Sequence, residues 1–302
     1  MIWRAPVASG VLAMSALVLA GCPDQQGKGL ADAGVVSRGP APEYAEAAAK
    51  YNERIEPLGR FRAQVTMQFR YTDRKGNERI EQPEGTIQIV RPDHLALSLG
   101  KLGQVKFWLG SDAERYWWLD MMDEPVAYVG RHGSFSDRAA KRLGVSIPPR
   151  SLIRVLCLTP IDERAWGATQ WSADGERLGI TTMLADEAED GRGRQRVWVD
   201  PATYRPIKIE LFDAGGSAVV VAHMEGDERV EVAAGTTRGG APWIPKSITI
   251  HSKGTDASIR LSLSSARNEG VNDKAFNFDE VVATYGVEEI VDLDAGEGNG
   301  PG

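Results

Sequence analysis

Twelve consecutive residues, Arg60 to Tyr71, alternate without a break: Phe61, Ala63, Val65, Met67, Phe69 and Tyr71 fall on one side, Arg60, Arg62, Gln64, Thr66, Gln68 and Arg70 on the other. A period of two places the first set on one face of an extended strand and the second on the opposite face. Strands average about five or six residues, so one this long follows the twist of its sheet and points to a curved sheet or barrel.

Turn residues punctuate further strands along the chain. Asp73 to Asn77 reads as a hairpin turn, Gly85 to Arg91 as a strand closed by Pro92-Asp93, and Leu95, Leu97 and Leu99 alternate up to Gly100. Gln104 to Leu109 and Arg115 to Met121 form a hairpin about Gly110-Ser111-Asp112 that contains Phe107, Trp108, Tyr116, Trp117 and Trp118. After residue 165 follow Gly179 to Leu184, Gln195 to Val199, Pro206 to Phe212, Ser217 to Met224, Glu228 to Ala233, Trp243 to His251 and Ala257 to Ser265. The expected fold is mainly β: an incomplete antiparallel barrel, or half-barrel, of about 11 or more strands with one apolar and one wet face.

Helical spacing occurs in three places. Glu43 to Glu56 sets Tyr44, Ala48, Tyr51 and Ile55 along one face, with Pro57-Leu58-Gly59 ending the helix. Asp137 to Leu143 and Arg150 to Leu158 form a mid-chain pair, Pro148-Pro149 pre-setting the start of the second. Apolar residues nearly encircle that second helix, so it belongs in the interior, over the concave face of the sheet.

The first residues carry a different signal. Arg4, the apolar run to Ala20 and the small residues before Cys22 have the order of a secretory signal peptide over residues 1–21. Leu19-Ala20-Gly21-Cys22 resembles the bacterial lipobox, which implies a lipid on Cys22 and a chain held at a membrane. Residues 22–42, rich in Gly, Pro and Ala, are expected to be a flexible tether spanning roughly 25 Å, and residues 294–302 a disordered tail. Asp24 is one place too late for the Asp-next-to-Cys signal of inner-membrane retention, which favours a periplasm-facing site on the outer membrane.

With Cys22 lipidated, Cys157 remains without a disulfide partner and is expected to pack as a small apolar group. Loss of residues 1–21 removes one Arg and no acid, so 35 basic against 42 acidic residues become 34 against 42, a net charge of −8. That balance argues against a nucleic-acid partner. His94, His132, His223 and His251 are scattered, with no zinc-binding spacing and no nucleophile elbow, so no catalytic residue, metal site or cofactor is expected. The acids of 186–190 read as a solvated turn, and His223 as a core or rim histidine.

Taken together, the N-terminal helix, the long alternating strand, the hairpin Leu109 to Trp117, the mid-chain helix and the run Val197-Trp198-Val199-Asp200-Pro201-Ala202-Thr203 with the strand after it resemble the LolA/LolB lipoprotein-localisation superfamily. The similarity spans about residues 43–293, with additional strands after residue 225. It implies a cavity for acyl chains of lipoproteins or lipids, a role in their transfer, and a periplasmic carrier or envelope protein as a further partner. A non-catalytic sensor or protein-binding module on the same fold, like the RseB domain, is the alternative. The candidate cavity residues are Phe61, Val65, Met67, Phe69, Leu95, Leu97, Leu99 and Phe107 on the sheet, with Leu152, Ile153 and Leu156 as a lid. The same residues suit a filled core, because burying each stabilises by roughly 1.5–3 kcal/mol against protein or acyl chain alike.

Overall fold

The computed structural model describes residues 39–72, 78–135, 148–184, 193–233, 242–253 and 258–295. The leader, Cys22, most of the tether, the turn at 73–77, the helix expected over 137–143, the acidic turn at 186–190 and the tail from 296 lie outside them.

Among the described residues fifteen strands form one sheet. The first set is β1 (Arg60–Thr72), β2 (Glu78–Glu81), β3 (Glu84–Val90), β4 (His94–Lys101), β5 (Gln104–Ser111), β6 (Arg115–Asp120) and β7 (Val126–Arg131). The second is β8 (Gly167–Trp171), β9 (Leu178–Met183), β10 (Arg194–Val199), β11 (Pro206–Phe212), β12 (Ala218–Arg229), β13 (Trp243–Ser252) and β14 (Ser258–Arg267), with β15 (Glu289–Asp292) last. The order β15-β7-β6-β5-β4-β3-β1-β14-β13-β12-β11-β10-β9-β8 makes two meanders that share β1. Its length explains this central place: one edge pairs β3 over Arg60 to Thr66 and β2 over Phe69 to Thr72, the other pairs β14. Among the described residues β8 and β15 end the sheet without meeting, so the barrel is incomplete.

The structure differs from the expected architecture in three places. The strands expected at 217–224 and 228–233 are one strand, β12, because Gly226 at φ 63° absorbs a kink that does not interrupt pairing with β13. β15 runs parallel to β7, so the sheet is mixed rather than wholly antiparallel. The outer face, expected to be wet throughout, is covered over β4 to β7. There Ala96, Trp108, Trp117, Leu119 and Ala127 pack against Phe276, Phe278 and Val281 of the C-terminal segment. That segment folds as a helix, Phe278–Tyr285, capped by Asn277, whose side chain accepts from Glu280 N at 3.1 Å, and ended by Gly286 at φ 63°.

The concave face holds the main core. Phe61, Ala63, Val65 and Met67 are buried on it, as the alternation of β1 requires. Helix α1 (Tyr44–Glu53) adds Ala47, Ala48 and Tyr51, and helix α2 (Pro149–Val155) adds Leu152, Ile153 and Val155. At the end of α2, Cys157 N–H donates to Arg154 O (2.7 Å) and Leu158 N–H to Ile153 O (3.3 Å), with Cys157 at φ 56°. This is a Schellman closure on a non-glycine residue. The Cys157 carbonyl then accepts from Arg54 Nη2 (2.6 Å) and Tyr51 Oη (3.2 Å), so α1 fastens the end of α2.

Candidate apolar cavity

At one end of β1 the concave face does not fill. Met67 and Phe69 of β1, Leu97 and Leu99 of β4, Phe107 and Leu109 of β5, and Ile250, Ile259 and Leu261 of β13 and β14 surround a cavity of about 340 Å³, with Pro149 and Leu152 of α2 on one side. Alternation explains why each strand contributes residues two apart, and the facing registers Met67↔Leu261, Phe69↔Ile259, Leu97↔Leu109 and Leu99↔Phe107 explain why they meet. The size is at the small end of ligand pockets, and the wall is almost wholly apolar.

Helix α2 is fixed over this space from both ends. Arg150 at its start forms an ion pair with Asp93 (3.0 Å) and donates from Nη2 to Ala113 O (2.9 Å), and its far end is held through Cys157 as described.

The eleven cavity candidates divide. Met67, Phe69, Leu97, Leu99, Phe107 and Leu152 line the cavity; Phe61, Val65, Leu95, Ile153 and Leu156 do not, and are buried in the adjoining core. Cavity and core are therefore two ends of one face. Cys22 lies outside the described residues. Ile250, Ile259 and Leu261 come from the strands after residue 225, which the family resemblance leaves unplaced; the alternation Ile259, Leu261, Leu263 signals an inner face, but not that β14 returns to β1. Met122 in the β6–β7 turn also lines the space while 63 % exposed.

The mouth is polar. Glu81, Lys101 and Lys106 reach it, and Lys101 pairs with Glu81 at 3.5 Å with both side chains about half exposed. Strict alternation would send Val105 and Phe107 to the same face, yet Val105 packs with the outer cluster and Phe107 with the inner one. The register slips between Leu99↔Phe107 and Gly100↔Val105, which leaves Lys106 as the extra residue of a bulge.

Elsewhere the titratable groups have structural roles. Burial pushes the Cys157 thiol up to about 11, and the thiol is enclosed. The cation brought near it is Arg54, 103 residues away in sequence, rather than Arg154 alone. His223 is exposed on the outer face of β12, its ring 6.5 Å from that of His251 and away from the cavity; partial desolvation, Lys208 and His251 lower its pKa. Asp200 closes its turn by accepting from Ala202 N and Thr203 N, at 3.1 and 2.8 Å. Among the described residues no cluster of His, Cys, Asp and Glu has the arrangement of a metal site, and no helix is long and apolar enough to cross a membrane.

No family model and no curated sequence matches the chain. Among solved structures it is similar to a Vibrio parahaemolyticus domain assigned to outer-membrane lipoprotein sorting, with a TM-score of 0.51 and 17 % identity over 78 % of this chain and 96 % of that one. A LolA superfamily protein from Nitrosomonas europaea aligns over 79 % of this chain and 99 % of its own, at 15 % identity and a TM-score of 0.47. A DUF1329 family protein from Desulfovibrio piger aligns over 77 % and 98 %, at 14 % identity and 0.45. At such identities the likeness is one of fold, and the Vibrio domain carries it.

Proposed function

We propose that this chain, a LolA-like half-barrel, binds acyl chains of lipids or lipoproteins in its cavity and assists their transfer or localisation at the bacterial envelope, without catalysing a reaction. The cavity is the observation that carries this reading: an apolar space of about 340 Å³ under a fixed helix, with a polar mouth. Moving a methylene from water to such a wall gains about 0.8 kcal/mol, so several suffice for affinity without any polar contact inside. Cys22 is proposed as the lipidated residue that holds the domain on a periplasm-facing membrane surface, the outer membrane being favoured. The chain enters the domain beside β8, where Trp171 Nε1 donates to Gly39 O (2.9 Å) and Thr169 Oγ1 to Pro42 O.

The test uses the purified Cys22→Ser chain and the neutral apolar dye N-phenyl-1-naphthylamine. Dye fluorescence should rise on binding and fall as palmitate displaces it. Leu261→Trp, which fills the cavity from β14, should abolish uptake while leaving the thermal transition in place. A Leu261→Trp chain that takes up dye as well as the parent, or a parent that takes up none, contradicts the reading. In cell fractionation, Cys22→Ser should move the protein from membrane to soluble fraction.

A further inference from the structure

We propose that the cavity selects an anionic amphiphile: one acyl chain against Met67, Leu99, Ile250 and Leu261, and a carboxylate or phosphate head on Lys106 and Lys101. The inference rests on the acyl-binding reading above and narrows its ligand class. Three observations support it. First, the mouth has two cations and one acid, in a chain whose net charge is −7. Lys101 is matched by Glu81, whereas among the described residues no ion pair involves Lys106. One positive charge is therefore in excess where a bound chain's head would emerge.

Second, Lys106 reaches the mouth only because of the bulge. Under unbroken alternation, β5 would send Lys106 to the outer face along with Trp108, into the cluster covered by the C-terminal helix. A bulge beside a cavity commonly re-aims one side chain, and the one re-aimed here is a cation. Third, the wall itself offers almost no polar partner, so discrimination between heads has to occur at the mouth. A free fatty acid and a phospholipid share the chemistry required, an oxyanion on an acyl chain. The uncharged diacylglyceryl thioether of a lipoprotein lacks it.

Three ligands with the same palmitoyl chain separate these cases: palmitate, palmitoyl-lysophosphatidylglycerol and neutral monopalmitoylglycerol, each below its micellar concentration and each displacing N-phenyl-1-naphthylamine from the Cys22→Ser chain. The two anions should compete more tightly than the neutral glyceride, and less so as salt is raised. Lys106→Gln should weaken an anion about three- to tenfold relative to the glyceride and the dye measured on the same variant, the range for a part-exposed charge contact. Lys106→Arg should restore anion binding, which separates a charge effect from a damaged bulge. Tighter palmitate identifies a fatty acid as the source of the head, tighter lysophosphatidylglycerol a phospholipid. Equal competition by all three, or an anion preference that survives Lys106→Gln, overturns the inference while leaving the cavity intact. Failure of the dye itself to bind contradicts the acyl-binding reading instead.

Discussion

Cys157 accepts a left-handed backbone that a glycine would adopt at less cost, and what it gains is a carbonyl aimed at Tyr51 and Arg54. The charged donor is the stronger of the two. Arg54→Ala should therefore destabilise by about 1.5–3 kcal/mol and Tyr51→Phe by about 1 kcal/mol, as read from urea midpoints. Equal effects would mean that the Arg54 contact adds no charge assistance. Gly85 has a different reason to be glycine: a Cβ there would lie 1.7 Å from Ser98 O on β4, so Gly85→Ala has to push two paired strands apart. His132, half-buried with Nε2 2.8 Å from Asp112 O, has its pKa lowered chiefly by desolvation. The unfolded chain then binds the proton more readily, so this stabilisation is complete above the unfolded value of 6.5 and is lost as pH falls through the folded one. The melting temperature should drop as the pH is lowered below the unfolded value of 6.5, and His132→Gln should flatten that slope; an unchanged slope contradicts the assignment. None of these partnerships is visible in the sequence, because Arg54 and Cys157 stand 103 positions apart and Gly85 meets Ser98 only through strand register.

Elements were legible where one period ran long enough. The twelve alternating residues around Val65 fit β1, and the apolar ring of Leu152, Ile153 and Leu156 fits a buried helix. Short strands such as β2 and β15, four residues each, give a period of two too little length to show. The helix Phe278–Tyr285 carries a recognisable cap at Asn277 and a stop at Gly286, but its target, the aromatic outer face of β5 and β6, alternates Trp108 and Trp117 in the same run as inner Leu109 and Trp118. A strand buried on both faces loses the alternation that reveals one. Phe278 packs edge-on to Trp117 at 5.6 Å, so Phe278→Ala should cost about 3–5 kcal/mol and shift tryptophan emission to the red. Unchanged stability and emission would show that the helix does not cover the sheet.

At the scale of the molecule, one curved face serves two purposes. Its filled part, with Phe61, Leu95 and Ile153, supplies the core; its unfilled part, with Met67, Leu99 and Leu261, supplies the cavity. The sequence could not divide them, since both need the same residue types at the same spacing: β14 pairs β1 along both parts, Val65↔Leu263 in the core and Met67↔Leu261 at the cavity. At 17 % identity the likeness to the Vibrio domain is one of fold alone, so the cavity of this chain has to be tested directly. The most direct measurement is mass spectrometry of lipids extracted from the Cys22→Ser chain purified from cells in the absence of detergent. An acyl-bearing species should co-purify in near-equimolar amount and disappear in Leu261→Trp. A lipid-free parent, or the same lipids in both, would contradict a cavity built for acyl chains.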